Sequence, residues 1–233
     1  MHRREFLALG GAALGLAHGV RLRAQAQDPI PYGETRLGLS DDFRDGGLYV
    51  PKSYRDGSPM PVLIMLHGLG GAATGARFTF PLAEELGVIV IAPESRELTW
   101  GQAVPGFDDD VRYIGAAYRH VTRLLDVDAT RVGLGGVSDG ATYALSMGLA
   151  YGEVFNHLMI FAAGIPSPLR KQGKPKIFVG HGVEDHQMPI DDTARSWVPT
   201  LKAEGYDVTY REHPGGHGVG PLAREAFEWF LRG

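Results

Sequence analysis

Apolar positions in this chain fall into short unbroken runs, separated by stretches whose apolar residues recur at helical spacing. Residues 62–66 and 88–91 read as strands of the kind buried on both faces of a parallel sheet. Residues 47–50 form a shorter strand, stopped by Pro51 and a polar turn from Arg55 to Pro59. Further strands are predicted at 131–135, 157–161, 176–179 and 208–211. Between them lie helical stretches at 80–86, 108–125, 141–149, 194–203 and 222–231. The clearest is 108–125, where Val111, Ile114, Tyr118, Val121 and Leu125 share a face and the acidic first turn suits the helix dipole. Strands alternating with helices predict an α/β fold, a doubly wound and mostly parallel sheet with right-handed crossovers. About 14 residues separate the strand ending at Phe161 from the one starting at Lys176, too few for an inserted lid domain. A site above this part of the sheet should be open.

Composition narrows the class. The chain has 233 residues, 44% hydrophobic and 21% charged, enough to bury one sizeable core, and no composition break suggests a second domain. The formal net charge of −4 comes without a basic stripe, which argues against nucleic acid as a partner. There is no cysteine, so disulfides and thiolate chemistry are excluded.

The first residues bear on compartment. Arg3 and Arg4 precede a mild Ala/Gly/Leu stretch to Val20, and Ala24-Gln25-Ala26 supplies small residues at the positions that direct cleavage. The pattern predicts a twin-arginine (Tat) signal peptide over 1–26, a mature domain over 27–233, and a periplasmic or secreted location reached through the Tat export machinery. A basic leader on a protein that stays in the cytosol is the competing reading. The apolar run is shorter than the ~20 residues that span a bilayer, and no cysteine follows it for lipid attachment, so no stable membrane anchor is expected. Loss of 1–26 would remove four arginines and one glutamate, moving the formal charge from −4 to −7.

Chemistry concentrates in four places. Gly136-Val137-Ser138-Asp139-Gly140 sits where a strand gives way to a helix, the context of a G-x-S-x-G nucleophile elbow. A serine needs a base and the base an orienting acid, each expected on a later loop that follows a strand. The acid is assigned to Asp185, with Glu184 as its rival, and the base to His217 in His213-Pro214-Gly215-Gly216-His217-Gly218, with His213 as competitor.

His67-Gly68-Leu69-Gly70-Gly71 after the 62–66 strand admits two uses. It fits an oxyanion loop, with the Leu69 N–H as one donor and the Asp139 N–H as the other, each typically worth ~3–4 kcal/mol in the transition state. It also fits the G-x-G-x-x-G/A fingerprint of a dinucleotide site, with Glu94 placed to hold a ribose. Gly75 and Pro81 interrupt the helix that a pyrophosphate would need, and a dinucleotide leaves Ser138, Asp185 and His217 unexplained. Asp108-Asp109-Asp110 is read as helix capping and dipole complementation, because adjacent helical residues point apart and cannot share a cation. Phe78, Phe80, Trp100 and Phe107 fall on or near loops that could face the site, and Trp100, between Thr99 and Gly101, is the candidate substrate-binding wall.

With HGLGG, GVSDG, the Asp185 loop and GGHG in this order, the chain resembles the α/β-hydrolase superfamily. Within it, the chain is similar to the small phospholipase/carboxylesterase group and to exported esterases related to polyhydroxybutyrate depolymerases and feruloyl esterases. The likeness runs from about Leu48 to Leu231. It implies an α/β-hydrolase fold without a lid domain and a serine hydrolase that cleaves carboxylic esters through an acyl-enzyme, with no metal or organic cofactor. The nucleophile would be Ser138, the base His217 and the acid Asp185. The partner would be a small-molecule or oligomeric ester with short-chain, aryl or oligo-ester groups. Many acyl-protein thioesterases of this kind carry glutamine after the serine; Asp139 stands there instead, which weakens a thioesterase assignment without touching the mechanism. A thioesterase or peptidase using the same residues, and a non-catalytic exported binding protein, are the alternatives.

Overall fold

The computed structural model describes residues 30–41, 44–101 and 109–232. The predicted leader, Phe107 and Asp108 lie outside them. Eight strands and five α-helices follow in chain order: β1 (Gly33–Arg36), β2 (Gly47–Val50), β3 (Met60–Leu66), α1 (Phe80–Leu86), β4 (Ile89–Ala92), α2 (Asp109–Leu124), β5 (Val127–Val137), α3 (Asp139–Ala150), β6 (His157–Phe161), β7 (Lys176–Gly182), α4 (Ala194–Ala203), β8 (Val208–His213) and α5 (Ala223–Arg232). A 3-10 turn, Ala73–Thr79, precedes α1.

The strands make one sheet in the order β1-β2-β4-β3-β5-β6-β7-β8. Pairing is antiparallel for β1 with β2 and β2 with β4, and parallel from β4 onward. The expected strands and helices all form, most of them within one or two residues of their sequence bounds. β5 is longer, because its first residue pairs with Met60 before a register shift and regular pairing resumes at Val132. β1 was not expected. Its residues, Gly-Glu-Thr-Arg, alternate half-buried and exposed and carry no apolar signal, so only pairing with β2 makes them a strand.

Alternation along the buried strands gives the sheet two apolar faces. Val62, Ile64 and Leu66 pack with Ile114, Val121, Leu145 and Trp197 under α2, α3 and α4. Leu63 and Met65 point the other way, toward Phe80 and Ala83 of α1 and Phe227 and Phe230 of α5. A continuous apolar run thus satisfies both faces of a parallel strand. Helix α3 is buried on all sides from Gly140 to Ala150, and its small residues let it lie close against the sheet.

His157, at the start of β6, is a buried titratable group within the second face. Its ring meets Trp229 and Phe230 edge-on, Nδ1 lies 2.8 Å from Asn156 Oδ1, and Nε2 has no hydrogen-bond partner among the described residues. Burial, and then the charges of Lys176 and Arg131, lower its pKa to about 4. An unfolded histidine takes up its proton near pH ~6.5, so between that pH and about 4 the unfolded chain holds a proton that the folded chain refuses. Stability should therefore fall on acidification across this window, by roughly 3 kcal/mol in total. Urea unfolding at neutral pH and near pH 4.5 will show a smaller acid loss in His157→Phe than in the parent; equal losses would refute this assignment.

Candidate active site

The elbow forms where β5 runs into α3. Ser138 stands between them at φ 59° and ψ −124°, one of two non-glycine residues with positive φ among the described residues. Its N–H donates to Phe161 O at 2.9 Å, and its carbonyl accepts from Thr142 N at 2.9 Å and Thr142 Oγ1 at 3.1 Å. A strained backbone of this kind persists only where its surroundings over-determine it. The flanking glycines supply that fit through close approach. A Cβ at Gly136 would sit 2.4 Å from the carbonyl carbon of Gly140, and one at Gly140 would sit 2.3 Å from His67 O.

The HGLGG loop lies directly against the serine: a Cβ on Gly68 would be 3.4 Å from Ser138 Cβ and 4.0 Å from Oγ. Gly70 turns the loop at φ +62° and donates its N–H to Leu98 O, while Gly71 N–H returns to Gly68 O. The Leu69 N–H makes no backbone hydrogen bond among the described residues.

Several residues underpin this loop. The buried His67 ring places Nδ1 2.8 Å from Gly68 O and accepts the Ser95 N–H on Nε2 at 3.2 Å, with Glu94 Oε2 3.4 Å from the same nitrogen. Trp100 Nε1–H donates to His67 O at 2.7 Å, and Glu94 Oε1 accepts the Ala73 N–H at 2.7 Å. Glu94 is therefore engaged by the loop, and the segment starting at Ala73 is a 3-10 turn rather than an α-helix, so the dinucleotide reading finds no cradle here. Asp109 and Asp110 stand in the first turn of α2, as helix-dipole complementation requires; Asp110, 3% exposed, also accepts the N–H groups of Arg96 and Gly101 and so braces the segment that carries Trp100, and Asp109 pairs with Arg112 on the surface. No spacing rule links His67, Glu94, Trp100 and Asp110, and the sequence held no signal for this scaffold beyond their polarity.

Asp185 and His217 meet because the loops after β7 and β8 are zipped together. Val183 N–H donates to His213 O, and Glu184 N–H to Gly215 O. Gly182 has no room for a side chain, since a Cβ would lie 2.2 Å from the carbonyl oxygens of Gly215 and Gly216. Asp185 Oδ2 lies 2.8 Å from His217 Nδ1, while Oδ1 accepts the amides of Gln187 and Met188, each at 2.9 Å. Burial works to raise the Asp185 pKa, but the Met188 amide, the His217 ring and the Gln187 amide outweigh it and hold the carboxyl below its ordinary range. His181 Nε2 sits 2.8 Å from Met188 O and 3.3 Å from Asp185 Oδ2; burial lowers its pKa, which the Met188 carbonyl and the Asp185 charge only partly offset. Glu184 and His186 are exposed, and the His213 ring is enclosed by Gly215 and Gly220 and makes no ion pair with Asp185 among the described residues.

Parallel pairing brings the two halves of the site to one edge. Val137 pairs with Phe161, Phe161 with Gly180, and Gly182 with His213, so Ser138 and the loops bearing Asp185 and His217 all leave the sheet at the same end. β5 and β7 are two strands apart, ~10 Å at the usual strand spacing. The Ser138 hydroxyl forms no hydrogen bond among the described residues, to His217 or to any other group. Such contacts commonly tighten only once substrate is bound.

The aromatic candidates separate. Phe78 and Phe80 pack into the α1/α5 face, with Phe80 stacked on Tyr49, and take no part in the site. Trp100 is 2% exposed; its ring lies tilted against those of His67 and Tyr143, with centroids 4.8 and 5.9 Å away, and it lines a narrow cleft beside α3.

The strand order, the elbow and the position of the site at the sheet edge define the α/β-hydrolase fold. Solved structures agree. The fluorophosphonate-binding serine hydrolase FphF of Staphylococcus aureus matches with a TM-score of 0.66 at 16% identity, over 79% of this chain and 91% of that one. An acetyl xylan esterase from Aspergillus awamori matches at 0.63 and 15%, over 86% and 100%. The Bacillus cereus carboxylesterase matches at 0.56 and 20%, over 79% and 92%. No protein-family model and no curated protein matches the sequence.

The tightest joint of the site can be tested directly. Gly140→Ala forces a methyl against His67 O and Leu66 O, and overpacking of this kind costs ~1–3 kcal/mol or more. Urea unfolding should show at least that loss, whereas Gly205→Ala, where a Cβ would have open space but φ is +83°, should lose only the smaller backbone-strain cost.

Proposed function

We propose that the protein is a serine esterase that hydrolyses carboxylic esters through an acyl-enzyme. The observation that carries this reading is the strained Ser138 held against an amide-bearing glycine loop, at the same sheet edge as a partly exposed His217 hydrogen-bonded to the buried Asp185. Ser138 attacks the ester carbonyl as His217 takes its proton. Asp185 holds the imidazole in the Nδ1–H tautomer and stabilises its cation. The Leu69 and Asp139 amides receive the negative oxygen of the tetrahedral intermediate. The alcohol leaves with the proton from His217, and a water activated by the same imidazole releases the acid.

The surroundings support soluble esters with bulky or apolar substituents. Residues 162–175 cross from β6 to β7 without a helix, and Leu69, Leu98 and Ile165, all beyond the C-terminal ends of strands, are 63%, 70% and 67% exposed. An open apolar rim suits short-chain, aryl or oligo-ester groups. A thioester would pass through the same steps. The protein is further proposed to act outside the cytoplasm after twin-arginine export, on the strength of Arg3, Arg4 and the Ala24-Gln25-Ala26 site.

A fluorophosphonate probe should label one serine per chain, and Ser138→Ala should abolish both labelling and turnover of soluble esters while the fold stays intact by circular dichroism. Absence of labelling in the parent would favour a binding protein. Asp185→Asn should lower kcat by as much as ~10⁴-fold, because the imidazole loses its tautomer control; a panel of esters, thioesters and peptides measures it and ranks the substrate classes. Replacing Arg3 and Arg4 together by lysine should leave the precursor uncleaved in the cytoplasm, which immunoblotting of cell fractions reads.

A further inference from the structure

A narrow cleft begins one residue beyond the nucleophile. Residues 139, 142, 143 and 146 of α3 share one helical face and line one side, with Trp100 and Ile165 across from them. Two of its hydroxyls, those of Thr142 and Ser146, are already committed to the backbone. Thr142 Oγ1 donates to Ser138 O and accepts the Gly164 N–H at 2.8 Å. Ser146 Oγ donates to Thr142 O at 2.8 Å and accepts the Ser167 N–H at 2.9 Å. The indole N–H of Trp100 is taken by His67 O.

Asp139 differs from these. It is the one charged residue lining the cleft among the described residues. Thr99 Oγ1 donates to Oδ2 at 2.6 Å, which fixes the carboxylate, and Oδ1 has no partner among the described residues. Its Cα is ~3.8 Å from that of Ser138, so a bound ester carbonyl lies within reach of its field. As a first-turn acid it also favours the helix dipole, but that role needs neither the Thr99 clamp nor a place on the cleft wall.

We propose that Asp139 selects the substrate, accepting a hydrogen bond from a terminal hydroxyl or ammonium group, the water-sized part of an ester that this cleft of about 20 Å³ has room for, and rejecting a carboxylate there. The proposal rests on the esterase reading above and names the chemistry its substrate carries. A site built to bond a donor discriminates strongly against analogues that lack it, and a like charge beside a fixed carboxylate is disfavoured further.

The test uses esters of one chain length that end in a methyl, hydroxyl, amino or carboxyl group, borne on the acyl side in one set and on the alcohol side in another. In one of the two sets the parent enzyme should prefer the hydroxyl or amino ester over the methyl ester by about tenfold in kcat/KM, and over the carboxyl ester by about a hundredfold. The two donor esters tell hydroxyl from ammonium. Asp139→Asn keeps an acceptor for Thr99 and should shrink the amino-to-carboxyl ratio at least about tenfold, whatever its effect on absolute rate. Hydrolysis of all four esters at similar rates in both sets overturns the inference and leaves the esterase reading standing. So does an amino-to-carboxyl ratio unchanged in Asp139→Asn. If that variant does not fold, the ranking by the parent enzyme decides. No hydrolysis of any ester, with no fluorophosphonate labelling, overturns both.

Discussion

Two backbones meet at Gly140 with no space for a methyl group between them, and the rest of the site is organised around that contact. The first turn of α3 is pressed onto the end of β3, so the elbow and the HGLGG loop share one anchor. Ser138 keeps its positive φ because β5, β6 and α3 leave it no alternative: its N–H is taken by Phe161 O, and its carbonyl by Thr142. Backbone strain of this kind survives only inside such a frame.

A second close contact performs the matching task on the other side. Gly182 lets the loop after β8 lie on the loop after β7, and Asp185 and His217 are carried into hydrogen bonding by main-chain contacts rather than by their own attraction. The pair is therefore held in place before any substrate arrives, which lowers the reorganisation that chemistry would require. Asp185 remains a carboxylate at neutral pH despite complete burial of its side chain, because two amides and an imidazole replace the water it has lost.

Polar side chains that make no direct claim on chemistry occupy much of the space around the loop. His67, Trp100 and Asp110 each satisfy a backbone group in a segment that has no strand or helix of its own, and Glu94 satisfies one at the start of the 3-10 turn. Irregular backbone cannot be buried without such partners. Trp100 combines burial with a place on the cleft lining, its indole N–H closing the loop at His67 O.

The sequence determined the alternation of strands and helices, since runs such as 62–66 and the period of 109–124 depend on local pattern alone. It also determined the strand-to-helix context of Ser138 and the order of serine, aspartate and histidine along the chain. It favoured Asp185 over Glu184 and His217 over His213 without fixing either, because residues on one loop differ in which way the folded loop turns them. Zipping of the β7 and β8 loops made that choice, burying Asp185 and leaving Glu184 in solvent. Nor could it show that Glu94 braces a loop or that Gly33–Arg36 is a strand, for these depend on groups tens of residues away. Local pattern comes from the period of the backbone; partner choice comes from packing, which exists only once the chain has closed on itself.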